Sequence, residues 1–283
     1  MAVTITQIKD LQNRTGAGLM DCKKALLETD GDVEKAIDIL REKGIAKAAS
    51  KAGRVAAEGL TNIKICDECH TAVIVEVNCE TDFVSGSPKF VEFVDAVTDR
   101  LLQSKPATLE EAKEVTQDLF TDAVVAMREN FVLRRFAIVK AEEGQAFGSY
   151  IHMHGKISSL VVVSQDAGEV NRGLAMTVAS AAPEYLTLED VSDEIKAREL
   201  KIAQAEVAED PKLQAKPENV RAMIAERKVA ARLGDACLGS KPYALDPDGK
   251  LTVDELCKQK GLKVISFVRY MVGEGVDKTA AEE

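Results

Sequence analysis

No window in this 283-residue chain approaches the apolar length needed to span a bilayer, and its start, "MAVTITQIKD", has no charged region leading into an apolar stretch. The expectation is a cytoplasmic protein with no membrane contact. Recognisable catalytic signatures are missing as well: Gly-x-Ser-x-Gly, Gly-x-x-x-x-Gly-Lys-Ser/Thr and a strand-borne Gly-x-Gly-x-x-Gly do not occur. No catalytic residue, no cofactor and no enzyme activity are therefore expected. Positive charge is in deficit, with 37 Lys and Arg against 47 Asp and Glu, a net charge of -10 and a pI near 5.1. Such a chain lacks the general attraction that non-specific nucleic-acid binding requires, so a folded partner or a small ligand fits better. Aromatic residues make up only 4%, without a single tryptophan. The one basic row, Lys43, Lys47 and Lys51 at i, i+4 and i+8, accordingly has no interleaved aromatics and reads as a solvated face.

Six cysteines are present, but only Cys66 and Cys69 are close together, in Cys66-x-x-Cys69-His70. That spacing attaches c-type haem, a modification normally made after export, and no export signal is seen. It is also half of a zinc site. The other half is missing: Cys22, Cys79, Cys237 and Cys257 are single, and the other histidines, His152 and His154, have no paired cysteine beside them. Cys66 to His70 are expected to be plain turn residues, with no metal.

Charged residues at 30% and hydrophobic ones at 46% describe an ordinary globular chain with room for more than one module. Residues 1–44 predict three short helices. Thr4-x-x-Gln7 has capping-box spacing ahead of Ile5, Ile8 and Leu11, and Gly16 to Gly18 breaks that helix. Leu19, Cys22 and Leu26 mark a second helix. Val33, Ala36, Ile37 and Leu40 mark a third, capped by Asp32. Residues 45–59, rich in alanine and glycine, read as a linker.

From residue 60 the apolar period becomes two. "LTNIKIC" and "TAVIVEVNC" predict a β-hairpin turning at residues 66 to 70, with Val73, Val75, Val77 and Cys79 on one face. Ser87-Pro88 predicts a helix start, with Phe90, Val94, Val97 and Leu101 covering the sheet. The pattern recurs in "GSYIHMHG", "SSLVVVS" and the helix "NRGLAMTVASAA". The fold class expected is α+β: a three-helix domain, a core subdomain over 60–141, and a second over 142–192 and 233–275. An inserted helical hairpin spans 193–232 and a short tail 276–283. His152 and His154, two apart, are expected in one strand with both rings on one face. "DPDGKLTVDE" superficially suggests a calcium loop, but its glycine follows the first aspartate by three positions instead of five, so a turn before a helix is expected.

"TGAGLMDCKKAL" (15–26) and "EVNCETDFVS" (76–85) closely resemble the two signature segments of the bacterial elongation factor Ts family, in the same order. "KAGRVAAEG", "GSYIH", "PEYLTLEDVS" and "FVRYMVGEG" extend the likeness over nearly the whole chain. The resemblance implies an N-terminal domain of the ubiquitin-associated type, two α+β core subdomains with antiparallel sheets, and an inserted helical hairpin through which two copies could dimerise. It implies guanine-nucleotide exchange on elongation factor Tu, in its GDP-bound and nucleotide-free forms. It further implies that Thr81, Asp82, Phe83 and Val84 enter the GTPase near its magnesium site, and that the loop bearing His152 and His154 contacts it too. The runner-up is a GTPase-binding module without exchange activity. Two departures from the family pattern stand out. Ser85-Gly86 replaces a segment that often carries a basic or amide residue, implying a looser backbone, and "GVDKTAAEE" ends the chain where many members continue with an amphipathic helix.

Overall fold

The computed structural model describes residues 3–51 and 53–276; the tail expected over 276–283 lies, apart from Val276, outside the described residues. The chain divides into two compact units. One comprises the residues up to Lys140, Ile151–Ser158 and those from Tyr270 on; the other comprises Ala141–Tyr150 and Ser159–Arg269.

The first unit opens with three helices, α1 (Ile5–Thr15), α2 (Leu19–Glu28) and α3 (Val33–Lys51). The capping box of α1 forms as its spacing predicts: the Gln7 amide donates to Thr4 Oγ1 at 3.2 Å, and the Thr4 amide donates to Gln7 Oε1 at 3.0 Å. Leu11, Cys22, Ala25, Leu26, Ala36 and Leu40 close a small core. Ile5 and Leu19, expected on the apolar faces, are exposed instead. α3 does not stop at Gly44 but runs through seven residues that read as linker. A Cβ at Gly44 would meet Val125 Cγ2 at 2.5 Å, so this glycine marks the close approach of two helices and not a helix end. Of the basic row, Lys43 pairs with Glu28 at 2.7 Å and the Lys51 ammonium donates to the Arg128 carbonyl.

Strands β1 (Glu58–Cys66), β2 (Thr71–Cys79) and β3 (Val132–Lys140) form an antiparallel sheet in that order. Between β2 and β3 come α4 (Asp82–Ser85), α5 (Pro88–Ser104) and α6 (Leu109–Met127). Val73, Val75, Val77 and Cys79 do share a face, and Phe90, Phe93, Val94, Val97 and Leu101 of α5 cover it. Strand β3 was not legible in the sequence because Arg134 and Arg135 interrupt its apolar alternation. Their guanidinium groups bind the fully buried Glu76 carboxylate at 2.8 and 2.6 Å, so the interruption is the partner of a buried charge on β2.

In the second sheet, β4 (Ala146–His152), β5 (Ile157–Val163) and β6 (Val264–Met271) are adjacent in that order and antiparallel. Helix α7 (Glu169–Ala181) covers it through Leu174, Ala175 and Val178, packed with Val161 and Val163. The expected helical hairpin is present as α8 (Asp193–Glu209), α9 (Pro211–Gln214) and α10 (Glu218–Ala236). Ala203, Val207 and Ala225 and the Arg232 pairs with Glu199 and Glu206 hold it together. Asp246 closes a turn by accepting from the amides of Lys250 and Leu251, and α11 (Val253–Lys260) follows, as expected of "DPDGKLTVDE".

Candidate functional site

Strand β2 ends at Cys79, and the next residues fold into one helical turn, α4. Thr81 takes extended backbone angles, φ -125° and ψ 152°, and its hydroxyl accepts from the Val84 amide at 3.3 Å. This N-cap satisfies an amide that a single helical turn cannot satisfy internally. The turn then divides its side chains. Val84 packs against the sheet–α5 core and Ser85 is buried, whereas Asp82 is exposed and Phe83 is 86% exposed. An aromatic ring in open water gives up roughly 1.5–3 kcal/mol of burial energy that a core site would supply. Phe83 is thus displayed by the turn, not used to fill the protein.

The turn is held from two sides. On one, the Glu129 carboxylate accepts from the Glu80 amide at 3.0 Å, the Thr81 amide at 3.1 Å and the Thr81 hydroxyl at 2.6 Å. Glu80 in turn accepts from the Asn130 amide at 2.7 Å and pairs with Arg54 at 3.2 Å, while Asn130 Nδ2 donates to the Arg54 carbonyl at 2.8 Å. On the other side, Lys156 Nζ donates to the Ser85 hydroxyl at 3.2 Å, the Gly59 carbonyl at 3.1 Å and Glu58 Oε2 at 3.1 Å. Ser85 Oγ also lies 3.0 Å from the Asp82 carbonyl, and the Gly86 amide donates to that carbonyl at 3.0 Å. The looser backbone expected at Ser85-Gly86 is therefore replaced by a turn hydrogen-bonded at both ends.

Beneath it sits Cys79. Burial foremost, with the Glu129 carboxylate adding to it, pushes its thiol up to about 12 from an ordinary 9.0. It stays a neutral donor, 3.3 Å from the Thr81 carbonyl.

His152 and His154 do not share a strand face. His152 ends β4, and Met153–Gly155 forms a 3-10 turn in which Met153 and His154 have φ of 50° and 53°. The left-handed pair reverses the chain, so the two-residue spacing no longer implies a common face. Both histidines are exposed, beside the exposed apolar side chains Ile151 and Met153. The turn is fixed through Gly155, whose carbonyl accepts from the Thr61 hydroxyl at 2.8 Å, and through Lys156. Lys156 joins the histidine-bearing turn to α4, bringing together two segments more than sixty residues apart in sequence. Neither Lys156 nor Glu129 was visible as a site residue beforehand. A lysine after a turn and a glutamate after a helix carry no local pattern, and their function appears only with their partners.

Cys69 lies in the hairpin turn, as expected, and His70 follows with φ 45°, whereas Cys66, expected in the turn, is the last residue of β1 and pairs with Thr71. Among the described residues, no group of three or more His, Cys, Asp or Glu is arranged to hold a metal ion, and no helix is long and apolar enough to cross a membrane.

The turn thus leaves an acid and an aromatic side chain side by side in solvent, hydrogen-bonded into the fold on both flanks. Residues 80–274 match the family model described as Elongation factor TS, which covers well over half of the chain. The chain belongs to that family, whose members bind elongation factor Tu and promote nucleotide exchange on it during translation elongation.

Proposed function

We propose that this protein binds GDP-bound elongation factor Tu and speeds GDP release by inserting Phe83, with Asp82 beside it, near the GTPase's magnesium site. The observation that supports this most is the 86% exposure of Phe83 on a turn hydrogen-bonded at both ends. A GTPase holds GDP through magnesium and a cradle of backbone amides, so a side chain wedged among them loosens the nucleotide without covalent chemistry. Burying an exposed phenylalanine in a partner is worth about 1.5–3 kcal/mol, which corresponds to roughly ten- to hundredfold in a rate. Thr81 and Val84 hold the wedge in place, and His152 and His154 form a second contact on the neighbouring turn. The setting proposed is the cytoplasm, with residues 1–44 as a docking domain and the hairpin 193–232 as the surface for any dimer.

Release of labelled GDP from elongation factor Tu is the direct measurement. The native protein should accelerate it, and Phe83→Ala should lose about ten- to hundredfold of that acceleration while remaining folded. Tight binding to elongation factor Tu with no acceleration by the native protein would make it a GTPase-binding module without exchange activity.

A further inference from the structure

The hairpin turn between β1 and β2 holds a feature that nucleotide exchange does not use. Cys69 is exposed, Cys66 and Cys257 are half-buried, and Cys22, Cys79 and Cys237 are buried, so Cys66 and Cys69 are the accessible cysteines that sit together. The turn is tightly defined. Cys66 pairs with Thr71 as the last rung of a nine-rung antiparallel ladder, and the His70 amide donates to the Asp67 carbonyl at 3.2 Å. Within it, the Cys69 amide donates to Cys66 Sγ at 3.3 Å, and the Cys69 thiol donates to the Cys66 carbonyl at 3.8 Å. Each sulfur lies against the other residue's backbone within one turn, so joining them asks for little backbone movement.

We propose that Cys66 and Cys69 form a thiol–disulfide exchange site, in which the Cys69 sulfur attacks a small-molecule disulfide of the glutathione class and Cys66 resolves the product. The polarity of the pair follows from its surroundings. Its contact with Cys66, opposed in part by burial, and the Lys105 ammonium at the end of α5 lower the Cys69 thiol from its ordinary value. The same contact with Cys69 raises Cys66, with the Glu68 charge adding a little. The exposed, more acidic Cys69 is the sulfur a disulfide in solution reaches, and the half-buried Cys66 beside it is placed to resolve the product.

The electrons balance without a metal. The Cys69 thiolate forms a bond to one sulfur of the disulfide and expels the other as a thiolate. Cys66 then gives up its proton and attacks the Cys69 sulfur, forming the Cys66–Cys69 bond and expelling the second thiolate. The protein dithiol is oxidised by two electrons, and the small disulfide is reduced to two thiols. A disulfide needs only two sulfurs, whereas a closed zinc site needs two further ligands that the described residues do not supply here.

The test is to incubate the full-length protein with glutathione disulfide, quench with acid, and follow intact mass and peptide maps. The native protein should lose two hydrogens and acquire a Cys66–Cys69 link without accumulating an adduct. Cys66→Ser should stop at one glutathione on Cys69, and Cys69→Ser should react about tenfold more slowly or worse. Both variants change surface turn positions, and circular dichroism confirms that they fold. A lasting glutathione adduct on the native protein, equal rates for the two variants, or modification mapping first to the half-buried Cys257 would overturn the proposal. It does not rest on the exchange reading, since a variant lacking Phe83 should oxidise normally.

Discussion

Phe83 and Cys79 are four positions apart and have opposite surroundings, and each gives a prediction at the residue scale. Were Phe83 part of the core, Phe83→Ala would cost about 3–5 kcal/mol. At 86% exposure the change should instead lie within about 0.5 kcal/mol, while the loss in GDP release stays large. Asp82→Ala should behave alike. Thermal melting and nucleotide release measured on one preparation separate the two cases, and a melting loss large enough to explain the lost activity would return the ring to the core. Cys79 bears on alkaline stability. Its folded thiol is raised above the unfolded value, so the stabilisation is complete below pH 9 and declines as pH rises toward 12, because the unfolded thiol ionises first. The native protein should lose stability across that window more steeply than Cys79→Ala, by up to about 1.4 kcal/mol per pH unit. Parallel pH profiles from urea unfolding would contradict the assignment.

Braced turns and close-packed helices set the behaviour at the scale of elements. Glu129 holds Glu80 and Thr81, the residues leading into α4, through three hydrogen bonds, so Glu129→Ala leaves two amides and a hydroxyl without their acceptor. That variant should slow GDP release while binding of elongation factor Tu falls much less, because the turn is still present but no longer held. Glu129→Gln, which keeps one acceptor oxygen, should recover part of the loss. Equal losses in binding and release would show that Glu129 acts through the whole interface. Gly44 tests helix packing. Alanine there gains about 1 kcal/mol of helix propensity, but its Cβ would lie 2.5 Å from Val125 Cγ2, and overpacking typically costs about 1–3 kcal/mol. Gly44→Ala should therefore be neutral to destabilising in chemical denaturation, and a clear gain in stability would mean that α3 and α6 are not closely packed at this point.

The molecule as a whole acts through linkage. An exchange factor must bind the nucleotide-free GTPase more tightly than the GDP-bound form, and GDP must weaken the factor's binding by the same ratio by which the factor weakens GDP. Calorimetric affinities of this protein for elongation factor Tu, measured with and without saturating GDP, should close that cycle with a coupling above about tenfold. Equal affinities for the two forms would be incompatible with exchange.

Much of the architecture is local in origin and was legible in the residues. The period-two run of β2, the capping box at Thr4, the Ser87-Pro88 start of α5 and the proline-broken hairpin each depend on neighbours within a few positions. The segment Thr81 to Val84, proposed here as the site, stood out through its family resemblance alone. Tertiary structure decided what depends on distant partners. Gly44 looks like a helix stop until Val125 is seen against it, and Arg134 and Arg135 look like strand breakers until Glu76 is found between them. Whether Phe83 faced core or water was equally undetermined by its own segment. Exposure is a property of what the rest of the chain covers, and here Val84 and Ser85 turn inward while Glu129 and Lys156, far away in sequence, hold the turn so that Phe83 points out.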